Sequence, residues 1–160
     1  MHMRLMALVA GLCLALDQIS KLWVVFGLDL VTRLYIDVAA PLLTFRYGEN
    51  TGINFGLLGG GGDASRWILI GLSMVISAAL TLWVRRAHGS HRGMQVAAGL
   101  VIGGALGNVY DRVAYGYVLD FLNMSCCGIR NPFVFNVADV FIFAGAAGLI
   151  FFDSRAKNHG

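Results

Sequence analysis

The sequence predicts an all-α membrane protein of four transmembrane helices, forming one domain over residues 1–160. Three observations carry this. Hydrophobic residues make up 58% of the chain and charged residues 13%, about half the roughly 25% of a soluble domain. The apolar residues fall into four long blocks, at residues 5–28, 67–84, 94–109 and 135–152, and a helix needs roughly 20 such residues to cross a bilayer. Short basic segments separate or flank these blocks and give the chain an orientation. The net charge of +3 is spread along the chain and forms no single patch, so it marks topology and points to no nucleic-acid partner.

The first block begins after Arg4 like a signal peptide, but it continues past Ala15 and Leu16 and holds Asp17 and Lys21. It reads as a retained span. The outer loop at 29–66 contains PLLTFRYGENTGINFGLL, in which Leu43, Phe45 and Tyr47 alternate with Thr44 and Arg46. That alternation predicts a strand and a Gly-containing turn, hence a small sheet on the membrane surface. The run Gly59 to Gly62 reads as a flexible connection. Ser73 and Ser77, on one face of the second block, read as helix-contact residues. In the third block Gly99, Gly103 and Gly107 recur every fourth residue, a smooth stripe for close helix packing. The loop at 110–134 holds Tyr117, Leu119 and Phe121, which suggest a segment dipping toward the bilayer.

Arg4, the loop RRAHGSHRG and the tail with Arg155 and Lys157 share one face of a four-span bundle. Lys and Arg in short loops mark the cytoplasmic side, so both termini are expected inside and the loops at 29–66 and 110–134 outside. Cys13 reads as a packing residue. Cys126 and Cys127 are neighbours in the outer loop, and adjacent cysteines rarely bridge each other without strain, so a contact within the loop or no bond is expected. The four histidines, His2, His88, His91 and His159, all fall on the cytoplasmic face and no HExxH occurs, so no metal site or cofactor is expected.

The informative residues are polar groups in or beside the apolar blocks. Asp17 and Lys21 are four apart and share a helix face, which reads as an internal ion pair. Asn108, Asp111 and Arg112 close the third block in GNVYDR. Asp120 follows in YVLDFL. Asn136 and Asp139 open the fourth block in FNVAD. An ionisable residue in a span costs a few kcal/mol and is a functional candidate by default. Taken alone, Asp139 could be a carboxylate at a helix start. With Asn108, Arg112, Asp120 and Asn136 at one depth, it reads as part of a cluster. Two nearby carboxylates share a proton, so one can activate water while the other donates to a carbonyl.

These segments, in order, resemble the lipoprotein signal peptidase (signal peptidase II) family. The resemblance rests on DQISK (17–21), ENTGINFG (49–56), GGALGNVYDRVAYGYVLDF (103–121) and FNVADVFIFAG (135–145), and it covers nearly the whole chain. It implies an aspartic endopeptidase of the bacterial inner membrane, monomeric and surrounded by membrane lipids. Such an enzyme cuts lipid-modified prolipoproteins before the diacylglyceryl-cysteine at a site near the periplasmic face. It implies that Asp120 and Asp139 are the catalytic pair. Asn50, Gly52, Asn108, Arg112, Asn136 and Ala138 would line the site, with Asp17 and Lys21 a structural polar pair. It also implies a small extracytoplasmic β-cradle. The family usually has a small residue where this chain has Asn54, whose bulkier amide would tune the substrate pocket or add a hydrogen bond. The stretch between the two aspartates looks longer than the family's common spacing, and Cys126 and Cys127 lie in it. From the residues alone, a proton- or ion-coupled transporter and a non-catalytic assembly factor using the glycine stripe remain alternatives.

Overall fold

The computed structural model describes residues 3–52, 63–87, 91–128 and 131–158. Four helices in it are long and apolar enough to cross a membrane. The first is α1, Arg4–Lys21, which continues as the π-helical turns Leu22–Gly27. The short α2, Leu30–Arg33, follows, then strands β1, Tyr35–Ala39, and β2, Leu43–Asn50. The remaining elements are α3, Asp63–Ala87, α4, Arg92–Ala114, β3, Val118–Asn123, and α5, Val137–Asn158.

One boundary shifts. The third span was expected at 94–109, but α4 runs to Ala114, so Asn108, Asp111 and Arg112 lie inside its last turns. Their polarity masks the end of the helix, because each finds a hydrogen-bond partner within the protein. The segment around Asp120 is extended. Val118–Asn123 is a strand that completes a three-stranded antiparallel sheet of order β1-β2-β3. Leu119 and Phe121 are buried there with Val24, Val25 and Leu30, against Phe45 and Tyr47. The fold is therefore mostly helical with a small sheet, as the alternation at 43–47 leads one to expect.

The glycine stripe explains the bundle. A Cβ on Gly103 would stand 2.6 Å from the Ala10 carbonyl oxygen and from Cys13 Cβ, and one on Gly99 would stand 2.8 Å from the Met6 carbonyl oxygen. Here α4 lies directly on α1, backbone to backbone. On its other face, Gly104 meets Ala138 and Ile142 of α5, while Gly145 of α5 meets Ala97 and Val101. So α4 is the central helix, parallel to α1 and antiparallel to α5. Val84 of α3 joins Met94, Ala98 and Met6 in a core at the far end of the bundle. The outward faces carry large exposed apolar side chains, including Leu12, Leu16, Trp23, Val75, Phe143 and Ile150. Such surfaces are stable in lipid, not in water.

Candidate active site

The end of α1, the end of α4, strand β3 and the start of α5 meet at one end of the bundle. The sheet brings Asp120 there. Gly48 and Asp120 are register partners, as are Asn50 and Val118. Phe135 then pins the entry to α5 against β3, since Leu122 N donates to Phe135 O at 2.7 Å and Phe135 N to Leu122 O at 2.9 Å. The eleven residues between Asn123 and Phe135 thus return the chain to within reach of Asp120.

The first turn of α5 is a capping box in which an Asp stands where Glu or Gln is usual. Asp139 N donates to Asn136 Oδ1 at 3.0 Å, and Asn136 N donates to Asp139 Oδ2 at 3.2 Å. Each residue satisfies an otherwise orphaned N–H at a helix start. The helix-start reading of Asp139 is therefore correct as local structure, and the same carboxylate also belongs to the cluster.

One amide joins the two aspartates. Asn136 Nδ2 donates to Asp120 Oδ1 at 2.6 Å and to Asn108 Oδ1 at 3.2 Å, and Asn108 Nδ2 donates to Asp139 Oδ1 at 3.0 Å. Asn50 Nδ2 reaches the other oxygen of Asp120 at 3.0 Å. Arg112 Nη1 donates to the Asn108 carbonyl oxygen at 3.3 Å. Its Nε is buried and has no hydrogen-bond partner among the described residues. Asp120 and Asn136 are buried, whereas Asp139 and Asn108 are half-buried. The pair therefore has one shielded and one accessible carboxylate.

Burial first, and the charge of Asp139 second, raise the Asp120 carboxyl from 3.8 to about 6, against the Asn50 and Asn136 amides and Lys21, which pull it down. Removing the neighbouring charge should lower it. In Asp139→Asn, Asp120 is expected to titrate below about 6 yet above 3.8, because burial remains. Infrared titration of its carboxyl band checks this. The sign carries over to stability. The folded chain keeps a proton on Asp120 that the unfolded chain has lost, so stability falls as pH rises from about 3.8 to about 6 and levels off above. Asp139→Asn should narrow that window.

Of the other expected site residues, Gly52 supports Asn50. Gly52 N donates to Asn50 Oδ1 at 3.0 Å with φ at +85°, and a Cβ there would collide with Leu69. Gly52→Ala should therefore turn Asn50 away from Asp120. The expected result is a loss of activity of about tenfold with little change in melting temperature, since the turn is exposed, as one charge-assisted hydrogen bond implies. Ala138 does not face the two aspartates. Its side chain packs at Gly107 and its N–H points to Asp17. Asn54 lies outside the described residues. Cys126 and Cys127 are bonded to each other, against the expectation of a loop contact or no bond. Cys127 takes a left-handed φ of 59°, which turns the chain back between them.

Asp17 and Lys21 form the expected pair at 2.7 Å, but the pair is part of a larger group. Lys21 Nζ lies equally close, 2.7 Å, to Asp111 Oδ2. Gln18 Nε2 donates to Asp111 Oδ1 at 2.9 Å and to Asp17 Oδ2 at 3.1 Å. Asp111 and Gln18 were not among the expected site residues. The signal for them was the single Lys21 facing two intramembrane acids.

The model of the family described as signal peptidase (SPase) II matches residues 9–154. The chain belongs to the signal peptidase II family. It is thereby placed among proteases, as its motif order led one to expect. The chain is 47% identical over 146 residues to the lipoprotein signal peptidase of Methylorubrum extorquens strain PA1, which covers 91% of this chain and 82% of that one. It is 43% identical over 154 residues to that of Methylocella silvestris, covering 96% and 87%. A solved bacterial membrane enzyme, determined by the in meso method at 2.3 Å resolution, superposes with a TM-score of 0.76 at 26% identity, over 96% of this chain and 90% of the other. Together with the four apolar helices, these likenesses make this signal peptidase II family member a multi-pass bacterial membrane protein.

Proposed function

We propose that this chain is an intramembrane aspartic endopeptidase that removes signal peptides from lipid-modified prolipoproteins, cutting before the diacylglyceryl-cysteine. The observation that carries the reading is the Asn136 amide, which ties Asp120 to the network holding Asp139. Two carboxylates held in one network at the end of a bundle share a proton instead of both ionising. The ionised member takes a proton from water as that oxygen attacks the scissile carbonyl. The protonated member gives its proton to the carbonyl oxygen. The tetrahedral intermediate then collapses as the C–N bond breaks, the amine taking the proton that the first aspartate had removed from water and the new carboxyl's proton returning to the dyad. The half-buried Arg112, which donates to the Asn108 carbonyl oxygen, would bind a substrate carbonyl, and Asn50 and Asn108 fix the carboxylates. No cofactor enters this scheme.

The same reading places both termini in the cytoplasm and the two aspartates near the periplasmic face of the inner membrane. Basic Arg85, Arg86 and Arg92 lie at the opposite end from Asp120 and support that orientation. The chain would act as a monomeric single domain in membrane lipid. Purified protein in nanodiscs should cleave a diacylglyceryl-modified prolipoprotein and leave the unlipidated precursor intact. Equal cleavage of both forms would contradict the proposed specificity.

A further inference from the structure

Each of the two aspartates is preceded by a residue whose backbone N–H ends on a buried carboxylate. Leu119 N, next to Asp120, donates to Asp111 Oδ2 at 3.0 Å. Ala138 N, next to Asp139, donates to Asp17 Oδ1 at 2.9 Å. Those two carboxylates are clamped on one ammonium, Lys21 Nζ, at 2.7 Å each. Gln18 Nε2 spans the same two side chains. Every oxygen of Asp17 and Asp111 is therefore used. All three charged residues are at most 1% exposed.

We propose that Asp17, Lys21 and Asp111, with Gln18, are positioning residues that set the separation of Asp120 and Asp139. This rests on the reading of those two aspartates as the dyad.

The geometry argues against a bundle brace alone. A buried ion triad is a poor way to gain stability, because apolar residues of similar size often do as well or better. What it supplies is a fixed distance between charged acceptors, and here each acceptor holds the backbone adjacent to one aspartate. Strand β3 and the start of helix α5 meet directly through the Asn136 amide on Asp120 and the Leu122–Phe135 backbone bonds, and the Asp111 and Asp17 carboxylates add a charged acceptor behind each of them. The dyad's spacing is then set from α1 and α4, behind the site, by groups that touch neither substrate nor the reacting carboxylates.

Asp111→Ala removes the acceptor of Leu119 N and leaves Lys21 paired with Asp17, so no unpaired charge is created. Gln18→Leu is the milder second variant, removing only the bridging amide at a half-buried position. Cleavage of a lipidated prolipoprotein in nanodiscs is measured for both, per folded molecule, beside their melting temperatures. A displacement near 1 Å costs about 10²-fold in rate, so Asp111→Ala should lose about that much kcat while KM stays within about twofold. Gln18→Leu should lose several-fold less, again in kcat.

A lowered melting temperature with kcat and KM unchanged would overturn the proposal, as would a raised KM with kcat unchanged. If Asp111→Ala does not fold, Gln18→Leu decides by the same two parameters. If Asp120→Asn or Asp139→Asn retains wild-type cleavage, the dyad reading itself fails and takes this inference with it. If those two are inactive while Asp111→Ala and Gln18→Leu behave as wild type, only the positioning role fails.

Discussion

Asp120→Asn and Asp139→Asn should each fold and each lose roughly 10³- to 10⁴-fold in cleavage rate. One proton-transfer partner is worth about 10²- to 10⁴-fold, and in a shared-proton pair either change removes both the base and the acid of the cycle. The fold should survive because Asn is nearly isosteric. In Asp120→Asn the new amide keeps an oxygen for Asn136 and turns its NH₂ toward Asn50, which is exposed and free to swing. In Asp139→Asn one oxygen remains for the Asn136 N–H of the capping box. Cleavage rate and thermal melting, read on the same preparations, separate lost chemistry from lost folding. A transporter would instead show proton flux in liposomes, and an assembly factor would function normally with both substitutions.

Gly103→Leu has the largest expected effect on stability. A side chain there meets the Ala10 carbonyl oxygen and Cys13 Cβ, each at 2.6 Å from the first added carbon. The backbone oxygen cannot rotate away, so α1 must move off α4. Overpacking typically costs about 1 to 3 kcal/mol, and a backbone-to-backbone contact belongs at or beyond the upper end. The shift also separates Asp17 and Lys21 from Asp111. Activity should therefore fall with stability, visible as a lowered melting temperature and a smaller folded yield in detergent. Wild-type melting in Gly103→Leu would show that the two helices do not pack as closely as described.

The elements most legible in the sequence were those written in long runs. Four apolar blocks gave four spans, and the four-residue glycine spacing gave the face on which α1 and α4 meet. Polar residues among apolar ones gave Asp120, Asp139, Asn108, Arg112 and Asn136, which the fold does bring into one network. The failures have a common cause. Strand β3 carries no strand signal of its own: its apolar residues Leu119 and Phe121 face a core made by the end of α1, and a single strand does not display its partner. The end of α4 was placed too early because Asp111 and Arg112 look like residues that leave a membrane. Asp111 remains because Lys21, Gln18 and the Leu119 N–H meet it there. Such long-range satisfaction has no local signature. Ala138 matched a site motif by position, yet it serves as a small contact against Gly107 and as a donor to Asp17.

The most direct measurement is cleavage of a diacylglyceryl-modified prolipoprotein by the purified protein in nanodiscs, run in heavy-oxygen water with mass analysis of both products. Asp120→Asn and Asp139→Asn are run alongside, with hydroxylamine present in a parallel series. Direct activation of water by two aspartates predicts one cut before the lipidated cysteine, heavy oxygen in the new carboxyl terminus, no hydroxamate, and no product from either folded variant. A hydroxamate, a cut elsewhere, or near wild-type cleavage by either variant would contradict it.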